Sequence, residues 1–123
     1  MALEQPLFCD GNEVAAADLS TKQFYAVKLT STGYALCSVA GEPCDGILQD
    51  DPLSGKVCNV MVHGISKAIA GGAIAKGANV TVDANGKLAV AASGNYILGR
   101  LKEAATADGD IVTLLINRHG RLA

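Results

Sequence analysis

Val27-Lys28-Leu29-Thr30-Ser31-Thr32-Gly33-Tyr34-Ala35-Leu36-Cys37 and Val80-Thr81-Val82-Asp83-Ala84-Asn85-Gly86-Lys87-Leu88-Ala89-Val90 carry one pattern twice, 53 residues apart. Val27 falls on Val80, Leu29 on Val82 and Gly33 on Gly86. The same offset places Gly46-Ile47-Leu48-Gln49 on Gly99-Arg100-Leu101-Lys102. One residue of slip then aligns Val57-Cys58-Asn59-Val60-Met61-Val62 with Ile111-Val112-Thr113-Leu114-Leu115-Ile116. Each copy reads as strand, glycine turn, strand, glycine-led strand, loop, strand. Self-similarity at a fixed period is a statement about fold before it is one about chemistry. Two copies are too few for a solenoid and suit a small closed β structure made of two similar halves.

The remaining sequence agrees. Phe24, Ala26 and Lys28 alternate with Tyr25, Val27 and Leu29, the two-residue period of a strand. Asn85-Gly86 predicts a hairpin with a type I′ turn, which needs positive φ at both central residues. Asp50-Asp51-Pro52-Leu53-Ser54-Gly55 and Asp108-Gly109-Asp110 are turn signals. Lys56–His63 is the strongest strand of the first half, and Gly64–Ala70 continues it. Val14–Ala17 and Ile74 allow no more than a helical turn each. The expected fold is therefore all-β: a small barrel or sandwich of short strands from two similar halves (residues 25–62 and 79–116), within one domain spanning residues 23–123.

Residues 1–22 stand outside this repeat. Leu3, Pro6, Leu7 and Phe8 are apolar but follow neither strand nor helix period, and Pro6 breaks a helix. They predict an extended N-terminal arm. The residues alone leave open whether it lies on a partner or packs on its own domain.

Composition excludes several function classes. The chain has 123 residues and a formal net charge of −2, with no basic stripe to neutralise phosphates, so direct nucleic-acid binding is not expected. No stretch reaches the ~20 apolar residues of a spanning helix. The N-terminus carries Glu4 and lacks the basic and apolar regions of a secretory signal. With 50% apolar residues but only 4% aromatic, the core must be built from Val, Ile, Leu and Ala, and the apolar excess predicts burial against other subunits. Cys9, Cys37, Cys44 and Cys58 form no C-x-x-C pair, and His63 and His119 stand at no zinc spacing from them, so reduced thiols and no metal are expected.

No catalytic constellation emerges, and neither an enzyme nor a cofactor is expected. Asp50 and Asp51, then Asp108 and Asp110, read either as an acid/base pair or, more simply, as turn residues bonding their own backbone. Gly71-Gly72 and Gly77 resemble a phosphate loop in composition only. Lys87 beside the Asn85-Gly86 hairpin raises the alternative of a lipoyl- or biotinyl-like carrier domain, but its neighbours Gly86 and Leu88 do not match the carrier motif.

Val80 to Leu88, Tyr96-Ile97-Leu98-Gly99-Arg100-Leu101, Ala104-Ala105 and Gly109-Asp110-Ile111-Val112 together resemble the capsid cement proteins of tailed phages. Gly46-Ile47-Leu48 before an acidic loop is similar to an element of the lambda-type head decoration proteins. The resemblance covers residues 24–117. It implies a small β-barrel subunit, a homotrimer on the outer surface of an expanded phage head, assembled in the host cytoplasm and clamping the major capsid protein, with no active site and no membrane partner. It also makes Leu3, Pro6, Leu7 and Phe8 of the arm the candidate capsid-binding residues. An oligomeric β-barrel module of a phage tail or baseplate is the alternative.

Overall fold

The computed structural model describes residues 8–122. Nine strands form one antiparallel sheet that curls into a half-barrel, with no helix among the described residues. They are β1 (Phe8–Val14), β2 (Ala26–Thr30), β3 (Gly33–Leu36), β4 (Gly46–Leu48), β5 (Val57–Ile69), β6 (Asn79–Val82), β7 (Leu88–Val90), β8 (Tyr96–Leu101) and β9 (Ile111–Arg121). The order across the sheet is β3-β2-β4-β5-β9-β8-β6-β7, with β1 also paired to β5.

The duplicated sequence becomes a duplicated register. Ala26 pairs with Ile47 and Val27 with Gly46; 53 residues on, Asn79 pairs with Arg100 and Val80 with Gly99. Ile47 and Leu48 pair with Met61 and Val60, as Arg100 and Leu101 pair with Leu115 and Leu114, so the one-residue slip is real. The glycine-led strands have a steric cause. A Cβ on Gly46 would run into the carbonyl oxygen of Met61, and one on Gly99 into that of Leu115. Only glycine lets each short strand approach its long partner that closely.

The backbone extends the duplication beyond what the sequence suggests. The N–H of Ala15 donates to Lys56 O and that of Ala70 to Asp110 O; Ala16 donates to Tyr34 O and Gly71 to Leu88 O; Gly55 donates to Ala15 O and Gly109 to Ala70 O. Glu13 and Val14 of β1 pair with Cys58 and Val57, as Ala68 and Ile69 pair with Val112 and Ile111. Residues 8–19 are thus the counterpart, at an offset of 55, of residues 63–74. This corrects the expectation of an arm outside the repeat: residues 8–14 are extended, but as a strand on β5 of their own chain. β5 is long because it fuses the last strand of a first unit (residues 8–63) with the first strand of a second (residues 64–121).

Strand alternation sends Val27, Leu48, Cys58 and Val60 to one face of the first unit, where they pack with Ala15, Leu19 and Tyr34. Ala26, Ile47 and Met61 go to the opposite face. There, with Cys37 and Cys44, they join the core of the second unit, built from Val80, Val82, Leu88, Leu101, Val112, Leu114 and Ile116. The back of the first unit therefore covers the front of the second.

Two local expectations are corrected. The Asp83–Lys87 turn is not type I′: Gly86 has φ 80° but Asn85 stays out of the left-handed region. Asp83 Oδ1 instead accepts the N–H groups of Asn85 (2.8 Å) and Lys87 (3.0 Å), an Asx turn that outcompetes the type I′ geometry. Second, Cys37 and Cys44 are joined in a disulfide, their Cα atoms 6.6 Å apart, while Cys9 and Cys58 are free. The chain leaves β3 and returns to β4 through a tight loop, which brings the two thiols together.

Candidate capsid-binding surface

Of the four apolar residues singled out near the N-terminus, Leu3, Pro6 and Leu7 lie outside the described residues. Phe8 opens β1, opposite His63, with the side chain 58% exposed. The two rings lie 5.9 Å apart between centroids and tilted by 44°. At His63–Gly64, β5 exchanges β1 for β9 as a pairing partner. Beyond Ile116, β9 pairs with β8 alone. This divergence opens a concavity of about 560 Å³ lined by Phe8, Val62, His63, Asn117 and Arg118. Arg118 reaches Asp45 Oδ1 across 3.3 Å, which aims its guanidinium along the rim. An apolar ring beside hydrogen-bonding groups and a cation suits a protein ligand that offers an apolar side chain near a carboxylate or carbonyl.

Sequence reasoning found Phe8 and missed its companions. Offsets of 55 and 54 place Phe8 on His63 and His63 on Asn117, so the three are equivalent positions of successive strands. The signal was present but required the first strand to be counted in the repeat.

The aspartates that could have formed an acid/base pair, Asp50, Asp51, Asp108 and Asp110, lie in turns and loops. Asp110 Oδ2 accepts the N–H groups of Thr106 and Ala107 and the Thr106 hydroxyl; these bonds, that of the Thr106 N–H foremost, hold its carboxyl below the ordinary aspartate value. Asp50 accepts the N–H of Asn59. Lys87 pairs with Asp108 at 2.9 Å, which raises its pKa above that of an ordinary lysine. Glu42, inside the disulfide loop, accepts the N–H groups of Ser38 and Val39 and the Lys28 ammonium, each within 2.8 Å. Burial opposes its ionisation, yet Lys28 and the two amides together draw its pKa down. Tyr34 donates to Asp10 at 2.9 Å; burial first, then that carboxylate, pushes its phenol well above the ordinary value. Cys58 is likewise raised by burial, then by the charges of Asp50 and Asp10. Such a thiol is a poor nucleophile. Among the described residues no group of three or more His, Cys, Asp or Glu side chains is placed to hold a metal ion.

The chain matches the phage cement protein family over residues 12–116, from β1 through β9. It is similar in structure to the head fibre gp8.5 N base of bacteriophage phi29, with a TM-score of 0.61 and 20% identity over 98% of this chain and 99% of that one, a likeness of fold. No curated protein sequence matches it. Because the family match takes in both units and nearly every described strand, the chain belongs to the phage cement proteins and is a structural component of a phage virion that decorates the capsid.

Proposed function

We propose that the chain binds the outer surface of an expanded phage head as a homotrimer, contacts the major capsid protein there, and acts by adding interface rather than by catalysis. The observation that carries the contact is the concavity at the β1–β5–β9 divergence, where an exposed aromatic ring stands beside His63, Asn117 and Arg118. Carboxylates consumed by turn hydrogen bonds support the non-enzymatic part of the reading. A standard interface of ~1,600 Å² holds a partner firmly, and several copies in one oligomer add avidity.

Co-sedimentation with purified heads tests the proposal. The chain is expected to pellet with expanded heads and not with immature ones, with Phe8→Ser weakening binding roughly tenfold, about 1.4 kcal/mol. Removal of residues 1–7 leaves β1 whole and isolates the share of Leu3, Pro6 and Leu7. Equal binding to immature heads, or pelleting with tails instead, would overturn the proposal.

A further inference from the structure

The two units are equivalent in backbone but not in what covers them. The core of the second unit is capped by the row Ala26–Ile47–Met61 on the back of the first. The corresponding row on the back of the second unit is Asn79–Arg100–Leu115, and it caps nothing among the described residues. It borders a concavity of about 240 Å³ lined by Lys76, Gly77, Arg100, Leu101, Lys102 and Leu115. At the other end, Ala15, Leu19 and Tyr34 cover Val27, Leu48, Cys58 and Val60 on the front of the first unit, but the rim of that face is open among the described residues. Leu29 is 50% exposed where its counterpart Val82 is 1% exposed, and Val62 is half-buried where Ile116 is fully buried. One open rim and one unused back remain among the described residues.

Their charges are opposite. Residues 1–62 carry eight acidic and three basic side chains, and residues 63–123 carry four acidic and seven basic ones. Asp10 pairs with Val60, and Glu13 with Cys58, across β1 and β5 at the first unit's front. Lys76, Arg100 and Lys102 stand on the second unit's back, and none of them forms a salt bridge among the described residues. Their counterparts in the first unit are Gln23, Ile47 and Gln49, so this cationic cluster is not a property of the scaffold.

We infer that a second copy of this chain seats the back of its second unit, Asn79–Arg100–Leu115 with Lys76 and Lys102, on the open rim of the first unit's front around Leu29, Glu13 and Asp10. The contact repeats between chains the packing that joins the two units within one. It is more polar than the internal version because separate chains must first exist as soluble molecules. The two surfaces differ, so the contact is heterologous: it closes into a ring or propagates head to tail. The inference deepens, and rests on, the self-association proposed above by naming the surfaces that meet.

Sedimentation velocity at about 50 mM and about 500 mM salt tests it, since the Debye length shrinks several-fold across that range. Wild type is expected to associate at low salt with an association constant at least tenfold higher than at high salt. Lys76→Glu/Lys102→Glu and Asp10→Lys/Glu13→Lys are each expected to sediment as folded monomers, checked by circular dichroism. One chain carrying all four changes restores opposite charges and is expected to associate again. An oligomer that both pairs of reversals leave intact would overturn the assigned surfaces while leaving self-association standing. A wild-type monomer at both salt concentrations would overturn both.

Discussion

Phe24 and Gly77 occupy the same place in the two units and show what each unit demands of its residues. Both have left-handed backbone, φ 69° and 87°, and both N–H groups donate across 2.7 Å to equivalent carbonyls, Leu48 O and Leu101 O. For a non-glycine residue that conformation costs about 1–2 kcal/mol. The first unit accepts the cost because the Phe24 ring packs on the shared core and lies 5.8 Å beneath the Lys67 ammonium. Gly77 has no such compensation. Gly77→Ala is therefore expected to lower unfolding stability by about 1–2 kcal/mol in urea. Phe24→Gly is expected to cost less than the ~3–5 kcal/mol typical of losing a buried phenylalanine, because relief of backbone strain offsets part of the lost packing. Gly46 and Gly99 make a different demand, since their φ angles are ordinary and the constraint is space. Gly46→Ala and Gly99→Ala are each expected to cost about 2–3 kcal/mol by pushing β4 or β8 off its long partner.

At the scale of elements, the loop from Cys37 to Cys44 is held by a covalent bond and by one carboxylate. Closing a loop this short is worth about 2–3 kcal/mol by chain entropy, so the Cys37→Ala/Cys44→Ala pair is expected to melt well below wild type in non-reducing buffer. Glu42→Gln removes charge-assisted bonds from Ser38, Val39 and Lys28 and is expected to cost about 1–2 kcal/mol at neutral pH. The pH dependence has a definite sign. The folded pKa of Glu42 lies below the ordinary glutamate value of 4.5, so its contribution is complete above that value and is lost as pH falls through the folded pKa. The difference in melting temperature between wild type and Glu42→Gln is expected to narrow on acidification below about pH 4.5; a gap of constant width would show that charge plays no part.

Legibility in the sequence followed the same division of elements. The β2–β3 and β6–β7 hairpins and the glycine-led β4 and β8 could be read because their constraints fall on side chains: alternating apolar residues, turn glycines and two glycines forced by close approach. The equivalence of Ala15–Leu19 with Ala70–Ile74 could not, because those segments are matched by backbone hydrogen bonds that almost any residue can make. Their offset of 55 also departs from 53, because Phe24 lies five positions after Leu19 but Gly77 only three after Ile74. The disulfide was hidden because nothing in residues 38–43 has a period that would fold the loop back on itself. At the candidate surface, Phe8 announced itself by hydrophobicity, whereas His63 and Asn117 became meaningful only once β1 was recognised as a repeated strand.

At the scale of the molecule, the two units do not pack independently. The second unit's core depends on Ala26, Cys37, Cys44, Ile47 and Met61 from the first. The Gly86 carbonyl accepts the Ala26 N–H, Gly41 donates to Val82 O, and β5 runs through both units without a break. Each half taken alone would expose a face of valine, isoleucine and leucine that a chain of about 60 residues cannot otherwise bury, at a size where a single core is already marginal. Calorimetry is therefore expected to show one transition, with the van't Hoff enthalpy equal to the calorimetric one. A fragment spanning residues 64–122 is expected to be unfolded by near-ultraviolet circular dichroism and amide exchange. It should gain structure only when a fragment spanning residues 8–63 is added, because that fragment carries the cap. Two resolved transitions, or a folded second unit alone, would mean that its core is satisfied without the Ala26–Ile47–Met61 row. The cap position that the second unit offers to a neighbouring copy would then lose its precedent inside the chain.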